Sequence, residues 1–438
     1  MRTTARFVFS TMASITALTY GAPVMAQTVG SVPPTVNDTT QSRTALPNTA
    51  ADNTDYEPVG ARFGSFMLYP KVETSLIYND NIYALANKTD DFISKISPSI
   101  DFRGDMGVAT AALRASVDHY EYWEASRESR TDWSVGANAS IEAKRGTFFY
   151  GAGGFSRAHE DRGDPNAVYT DRRPTEYSLT EGGAGFSTTL TRAKFGLDAS
   201  YRNFDYRDNQ QLNGFITNND DRDKGVARIA GRAGFEFSPG YSLLARLSYE
   251  TVNYRLALDD AGFDRESHGW RGTIGVNFEL SNLLEGEIWG GYLTRSYDDA
   301  RFPKIESAVF GSSLTWHPTP MTAIKLNVDR NVNETQFPGY RGFLSTTGAL
   351  GIEHEFLPNL KFSAEGRYGK DTYKLATGAA IGPRSDDNYA ANASIKYLVT
   401  RNVYAKASYD WSKRSTDSNF PGIEFSRNRV SATIGLQF

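Results

Sequence analysis

The chain has no cysteine in 438 residues, which excludes disulfides and a lipid-bearing N-terminal cysteine. It also lacks any run of the roughly eighteen consecutive apolar residues that a membrane-crossing helix needs. Histidine is scarce, at five residues; none forms a metal-spaced pair, and no glycine-rich phosphate loop occurs. The net charge of −4 gives no ground for nucleic-acid binding. Metal, nucleotide and nucleic-acid chemistry thus have no signature here, and no cofactor is expected.

What is present is aromatic and glycine-rich. The mean hydropathy of −0.47 is that of a soluble protein, yet 13% of the residues are aromatic, with 24 Tyr, 26 Phe and 39 Gly. A transmembrane β-barrel reconciles the two: only every second residue of a spanning strand meets lipid, and aromatics gather at the two interfaces. The N-terminus fits export, because Arg2 and Arg6 flank the start of an apolar stretch over 7–20 and Val24-Met25-Ala26 precedes Gln27 in the layout of a cleavage site. Residues 1–26 are therefore read as a secretory signal. Residues 27–60, rich in Thr, Asn, Pro, Asp and Ala, carry too little bulky apolar surface to offset the entropy of ordering. They are read as a flexible periplasmic arm.

From 61 to 438 apolar and polar residues alternate in short segments. In Leu360-Lys361-Phe362-Ser363-Ala364-Glu365-Gly366-Arg367-Tyr368 one parity is apolar and the other polar or charged, the period of a strand with two unlike faces. The segments 193–201 and 403–411 repeat it. Counting such segments from 66–78 to 427–438 predicts an all-β fold, an up-and-down antiparallel barrel of about eighteen strands with both termini periplasmic. The connections alternate in length. Those at 144–146, 191–192, 238–240, 281–282, 318–320, 357–359 and 400–402 are short and made of turn formers, whereas 158–174, 207–221, 255–265, 374–386 and 415–424 are long. Short turns belong to the periplasmic side and long loops to the outside of a Gram-negative outer membrane.

Magnitude decides which parity meets lipid. Within 225–237, facing Arg228 and Arg232 outward would cost roughly 2 to 4 kcal/mol each near the bilayer midplane, while Ala227, Ile229, Ala233, Phe235 and Phe237 are at ease there. The same choice sends Tyr201, Tyr249, Tyr292, Tyr368 and Tyr409 to an outer aromatic girdle and Phe237, Phe278, Trp316, Phe356, Tyr397 and Phe438 to a periplasmic one. The inward parity collects charge. Its candidate lumen-lining residues are Arg228, Arg232, Arg246, Arg271, Glu285, Glu287, Lys325, Arg367, Lys406 and Asp410. Two arrangements fit these mixed signs: a selective aqueous pore, or a lumen narrowed by charges paired across strands.

The chain ends Val430-Ser431-Ala432-Thr433-Ile434-Gly435-Leu436-Gln437-Phe438. Alternating apolar residues closing on an aromatic resemble the signal read by the outer-membrane barrel assembly machinery, with Ile434, Leu436 and Phe438 as its contact residues. The first hairpin, with Phe66-Met67-Leu68-Tyr69-Pro70, Tyr78-Asn79-Asp80-Asn81-Ile82-Tyr83, Asp90-Asp91-Phe92-Ile93 and Ile96-Ser97-Pro98, resembles the opening of the putative β-barrel porin 2 family. The resemblance covers about 61–438. It implies an outer-membrane barrel in contact with lipid and lipopolysaccharide, with transport of a small solute or polymer as an expectation.

Three functions are weighed. Passage of a polar solute through the lumen follows from strand count and inward charge. Export or assembly of an exopolysaccharide follows from the resemblance and the aromatic segments 336–340 and 419–423. An enzyme at the outer rim would need His119, His159 or His268, since His317 and His354 are placed at the periplasmic end; no serine or carboxylate motif surrounds them, and no catalytic residue is assigned. Of two oxygen-rich clusters, Asn79, Asp80, Asn81, Asp90 with Asp91 reads as an Asx-rich turn rather than a cation site, and Asn218, Asn219, Asp220, Asp221 with Asp223, which lacks a glycine-punctuated binding loop, reads as a solvated loop tip.

Overall fold

The computed structural model describes residues 56–167, 170–417 and 423–438. The expected signal 1–26, nearly all of the arm 27–60 and residues 419–422 of one aromatic segment lie outside the described residues.

Period-two segments become strands of 12 to 18 residues. They are β1 (Phe66–Asn79), β2 (Asp91–Asp105), β3 (Ala109–Tyr122), β4 (Arg130–Lys144), β5 (Thr147–His159) and β6 (Glu176–Leu190). Next come β7 (Ala193–Tyr206), β8 (Lys224–Ser238), β9 (Tyr241–Tyr254), β10 (Ser267–Leu280), β11 (Leu284–Tyr297) and β12 (Ile305–Thr319). The last third holds β13 (Thr322–Asn333), β14 (Tyr340–Leu357), β15 (Leu360–Leu375), β16 (Ser385–Leu398), β17 (Val403–Thr416) and β18 (Phe425–Gln437). Each pairs antiparallel with its sequence neighbours, and β1 pairs with β18 from Lys71 opposite Gln437 to Asn79 opposite Arg429. The result is a closed barrel of 18 strands. Three short extra strands are described: Ala61–Phe63 leads into β1, and Asn209–Gln210 pairs with Ile216–Thr217 in the loop after β7.

Closure is what a bilayer demands, because its interior offers backbone amides no other partner. The short turns achieve it cheaply. Gly146 and Gly240 hold φ of +77° and +79°, a left-handed conformation in which a side chain would be strained.

The barrel is apolar on the outside. Along β8, Ile229, Phe235 and Phe237 are about half exposed, at 49%, 50% and 51%, while Val226 on the other row is buried. The girdle residues Tyr201, Tyr292, Tyr368, Tyr409, Phe237, Trp316, Phe356, Tyr397 and Phe438 are exposed on the outward rows, as are Ile434 and Leu436. Replacing Ile229 with Arg should lower stability in lipid vesicles by about 2 to 4 kcal/mol. Ala152→Arg, on the inward row of β5, should cost far less. Urea unfolding of the two variants measures this, and equal losses would contradict the assigned faces.

Candidate pore interior

All ten candidate lumen residues stand on inward rows, because each shares the parity opposite to the exposed apolar residues of its strand. Their environments differ with height. Toward the periplasmic half, Ser313 and Asn327 are exposed, and the Lys325 ammonium meets the Glu353 carboxylate at 2.7 Å while both side chains stay open to water. Asp329 is likewise open, with 53% of its side chain exposed. Arg367 pairs with Glu365 at 2.9 Å. Glu285 lies directly opposite Glu279 near the periplasmic mouth. Lys406 faces Lys396 across β16 and β17, and Asp410 faces Arg429 across β17 and β18. Ser313, Lys325, Asn327 and Asp329 open onto a wet vestibule, whereas at β16 and β17 the Lys396 ammonium packs 3.8 Å from the centre of the buried Tyr404 ring.

One wall is rich in guanidinium groups. Arg202 on β7, Arg228 and Arg232 on β8, Arg246 on β9 and Arg271 on β10 share the inward face. Arg232 and Arg246 are direct cross-strand partners, an unfavourable placement for like charges. Acids temper it: Asp198 lies 3.2 Å from Arg232, and Glu287 accepts a 2.8 Å hydrogen bond from Arg246. Arg228 faces Glu250 and donates to Ser248 at 3.3 Å. Arg271 lies 4.9 Å from the centre of the Trp289 ring and 3.9 Å from Asp329.

The extracellular half is filled. The loop after β5 crosses the lumen and is fastened to distant parts of the wall. Glu160 accepts from Arg222, and Asp161 accepts from Arg427 on β18 at 3.0 Å. Arg162 donates to Glu128 at 2.6 Å, and Arg414 on β17 donates to the Gly163 carbonyl at 2.6 Å. Asn166 meets the loop between β13 and β14, where the Thr335 hydroxyl donates to it at 3.1 Å. A second set holds that loop: Arg295 pairs with Glu250 at 2.6 Å and Glu334 at 2.7 Å, and Arg265 donates to the Thr335 carbonyl at 2.7 Å. Beneath the first loop lies a cavity of about 50 Å³ lined by Ile77, Tyr122, Arg130, Asp161, Arg162 and Arg429 among others. It is large enough for water and too small for a sugar or an amino acid. The inward charges are thus exposed along part of the periplasmic half and buried in pairs near the extracellular end.

Burial sets the charges of this cap. Although burial alone would raise it, Arg427 and Arg429 hold the Asp161 carboxyl well below the usual carboxylate range. Burial, and then the neighbouring Glu160 carboxylate, pushes Asp164 up to about 7.

The oxygen-rich clusters are turns. Asn79 accepts from the Asn81 amide at 3.0 Å, Asn81 donates to the Leu85 and Ser426 carbonyls, and Asp91 accepts from the Glu124 and Ala125 amides. Asp223 accepts from the Tyr206 amide, and the Asn219 side chain donates to the Arg207 carbonyl. The outer-rim histidines are similarly occupied: His119 bonds Thr131 at 2.8 Å, His159 bonds Asp132 at 2.7 Å, and His268 lies 3.8 Å from Asp298. The aromatic segment 336–340 turns inward, with Tyr340 and Phe337 packed around Tyr373.

A closed 18-strand barrel with lipid-facing apolar rows, aromatic girdles and a charged interior defines an outer-membrane channel of porin type. The model of the putative beta-barrel porin 2 family matches residues 53–438, and the chain belongs to that family. No curated protein matches the sequence. Among solved structures, the Acinetobacter baumannii channel OccAB2 is similar at 11% identity and a TM-score of 0.46, over 86% of this chain and 99% of that one. The siderophore receptor PirA from Acinetobacter baumannii gives 10% identity and 0.46, over 85% and 80% of the two chains. Pseudomonas aeruginosa OccK2 in complex with glucuronate gives 10% identity and 0.44, over 85% and 98%.

The cap should respond to pH. An acid with a raised pKa is held protonated in the closed cap, so closure is favoured at low pH and loses that advantage as pH rises through about 7. Single-channel conductance should be higher at pH 8 than at pH 5, and Asp164→Asn should remove the difference. An unchanged pH step in that variant would contradict the assignment. Replacing Arg427 with Gln, which removes the guanidinium hydrogen bond to buried Asp161, should loosen the loop and raise conductance at all pH values; a conductance equal to the parent's would count against the fastening described.

Proposed function

We propose that the channel passes small hydrophilic solutes and that its arginine wall favours anionic ones. The carrying observation is the direct opposition of Arg232 and Arg246, with Arg202, Arg228 and Arg271 on adjoining strands. In a lumen walled by low-dielectric protein such a row concentrates anions at its face, and the effect fades as salt screens it. The wet vestibule below supplies room for a hydrated solute, and the ion-paired loops above supply the constriction.

Exopolysaccharide export draws no support from the segment 336–340, where Tyr340 is buried and the half-buried Phe337 packs on Tyr373 rather than being offered to a sugar. His119 and His159 hydrogen-bond neighbouring side chains as local ties, and we read the chain as a channel rather than a catalyst. Lys370 and Lys413 stand exposed on lipid-facing rows near the outer girdle, where they would meet lipopolysaccharide phosphates. Ile434, Leu436 and Phe438 would be offered to the assembly machinery.

Reversal potentials across a planar bilayer under a KCl gradient test the solute class. The purified barrel should prefer chloride, and Arg232→Gln with Arg246→Gln should shift the preference toward potassium. A cation-selective parent, or a double variant with the parent's reversal potential, would overturn the anionic reading; a silent folded barrel would overturn conduction itself.

A further inference from the structure

The wall is not continuous to its outer edge. β12 pairs with β11 up to Ile305, yet with β13 it pairs only from Gly311 opposite Asp329 downward. Six residues, Ile305 to Phe310, therefore keep one backbone edge with no strand partner, while β13 continues to Asn333 paired with β14 alone. Among the described residues no other junction in the wall is interrupted over such a length.

The top of the β13–β14 hairpin has stepped inside. Val332 and Leu344 have the parity of lipid-facing residues, yet they are 1% and 7% exposed. They pack against Leu293, Ile305 and Val309 from the inward face of β11 and β12. Gly342 confirms the overlap, since a side chain there would meet the Tyr297 hydroxyl and Ile305. The seam is thus closed by apolar side chains sliding over one another, a contact without direction that can part and re-form. Ala308 is the cross-strand partner of the outer-girdle residue Tyr292, so Val309 and Phe310 continue the seam below that level. An unpaired backbone edge facing lipid is costly unless something bonds to it.

Each side of the seam carries an aromatic ring with a cation. On the lumen side Trp289 packs over Gly311, with Arg271 at 4.9 Å from its ring. On the lipid side Phe310 is exposed, and the Arg330 guanidinium lies 5.8 Å from its ring. Arg330 stands on an outward row, where a charge is disfavoured, and its Nε is buried without a hydrogen-bond partner. Register sets it opposite Thr346 and, beyond, Lys370, next to the girdle residue Tyr368.

We propose that the β12–β13 seam is a lateral portal through which an amphipathic anion, a carboxylate on a long apolar chain, moves between the lumen and the outer leaflet. Its head passes from Arg271 to Arg330, and its chain slips between Val309 and Val332. This route is separate from axial passage of hydrophilic solutes.

The absence of native cysteine permits a lock, Val309→Cys with Val332→Cys, closed by oxidation and reopened by reductant. Two rates are compared: uptake of dansyl-undecanoate by outer-membrane vesicles carrying the protein, and KCl conductance in planar bilayers. Oxidation should slow protein-dependent uptake about tenfold, the effect of roughly 1.4 kcal/mol on a barrier, with conductance unchanged and full recovery on reduction. Arg330→Gln should slow uptake likewise, and it decides the matter alone if the cysteine pair does not oxidise. Uptake indifferent to the lock and to Arg330→Gln, or uptake that falls only in step with conductance, overturns the portal. A barrel that never conducts KCl while the lock still governs uptake defeats the axial reading and leaves the portal standing.

Discussion

A bilayer interior gives the backbone nothing to hydrogen-bond, and every other feature of this protein follows from that constraint. It forces β1 to meet β18, which turns a long antiparallel meander into a tube. Closure then inverts the usual sorting of side chains. Residues such as Ile229, Ile274 and Leu350 stand outward, and charges that lipid would reject are gathered within. The lumen is charged because the outside cannot be.

Inside the tube, charge does two different jobs at two heights. Near the extracellular end, carboxylates and guanidinium groups are buried in pairs, as Arg162 with Glu128 and Arg384 with Asp386. Such pairs gain little net stability over apolar packing, but losing one partner strands the other in a dry site, so they fix geometry strongly. Arg414 and Arg427 likewise pin the loop after β5 to β17 and β18 on a far part of the wall, through the Gly163 carbonyl and Asp161. Nearer the periplasm, Lys325, Glu353 and Asp329 remain in water, where their charges are screened and free to meet a solute. A constriction and a vestibule thus arise from the same residue types under different burial.

The strands were legible in the sequence because lipid and lumen impose opposite demands on successive residues. The alternation over 193–201 and 360–368 falls within the strands Ala193–Tyr206 and Leu360–Leu375. The inward rows were legible for the same reason, through the energetic cost of an outward Arg228 or Arg232. The cap was not. Glu160, Asp161, Arg162 and Asp164 look like any solvated loop, and their partners lie far along the chain: Arg414 is 251 residues from Gly163. Dense mixed charge around Gly163 was the available signal, and it does not distinguish a folded plug from a surface loop. The seam was equally hidden, since Ser307 to Phe310 carry an ordinary strand pattern and the missing neighbour is a matter of register with β13. Likewise nothing in Gln336-Phe337-Pro338-Gly339-Tyr340 announces that its rings turn inward onto Tyr373.

One lumen is wet along β12 to β14 below and packed above. Ser313 on β12 and Ser412 on β17 both lie on inward rows, the first exposed and the second buried beneath the cap. Each can be changed to cysteine with little change of volume, in a chain that has no other thiol. The rate of labelling by a charged, membrane-impermeant thiol reagent in the folded barrel measures water access at each height. A lumen wet below and packed above gives fast labelling of Ser313→Cys and slow labelling of Ser412→Cys. Equal rates at the two positions would contradict it.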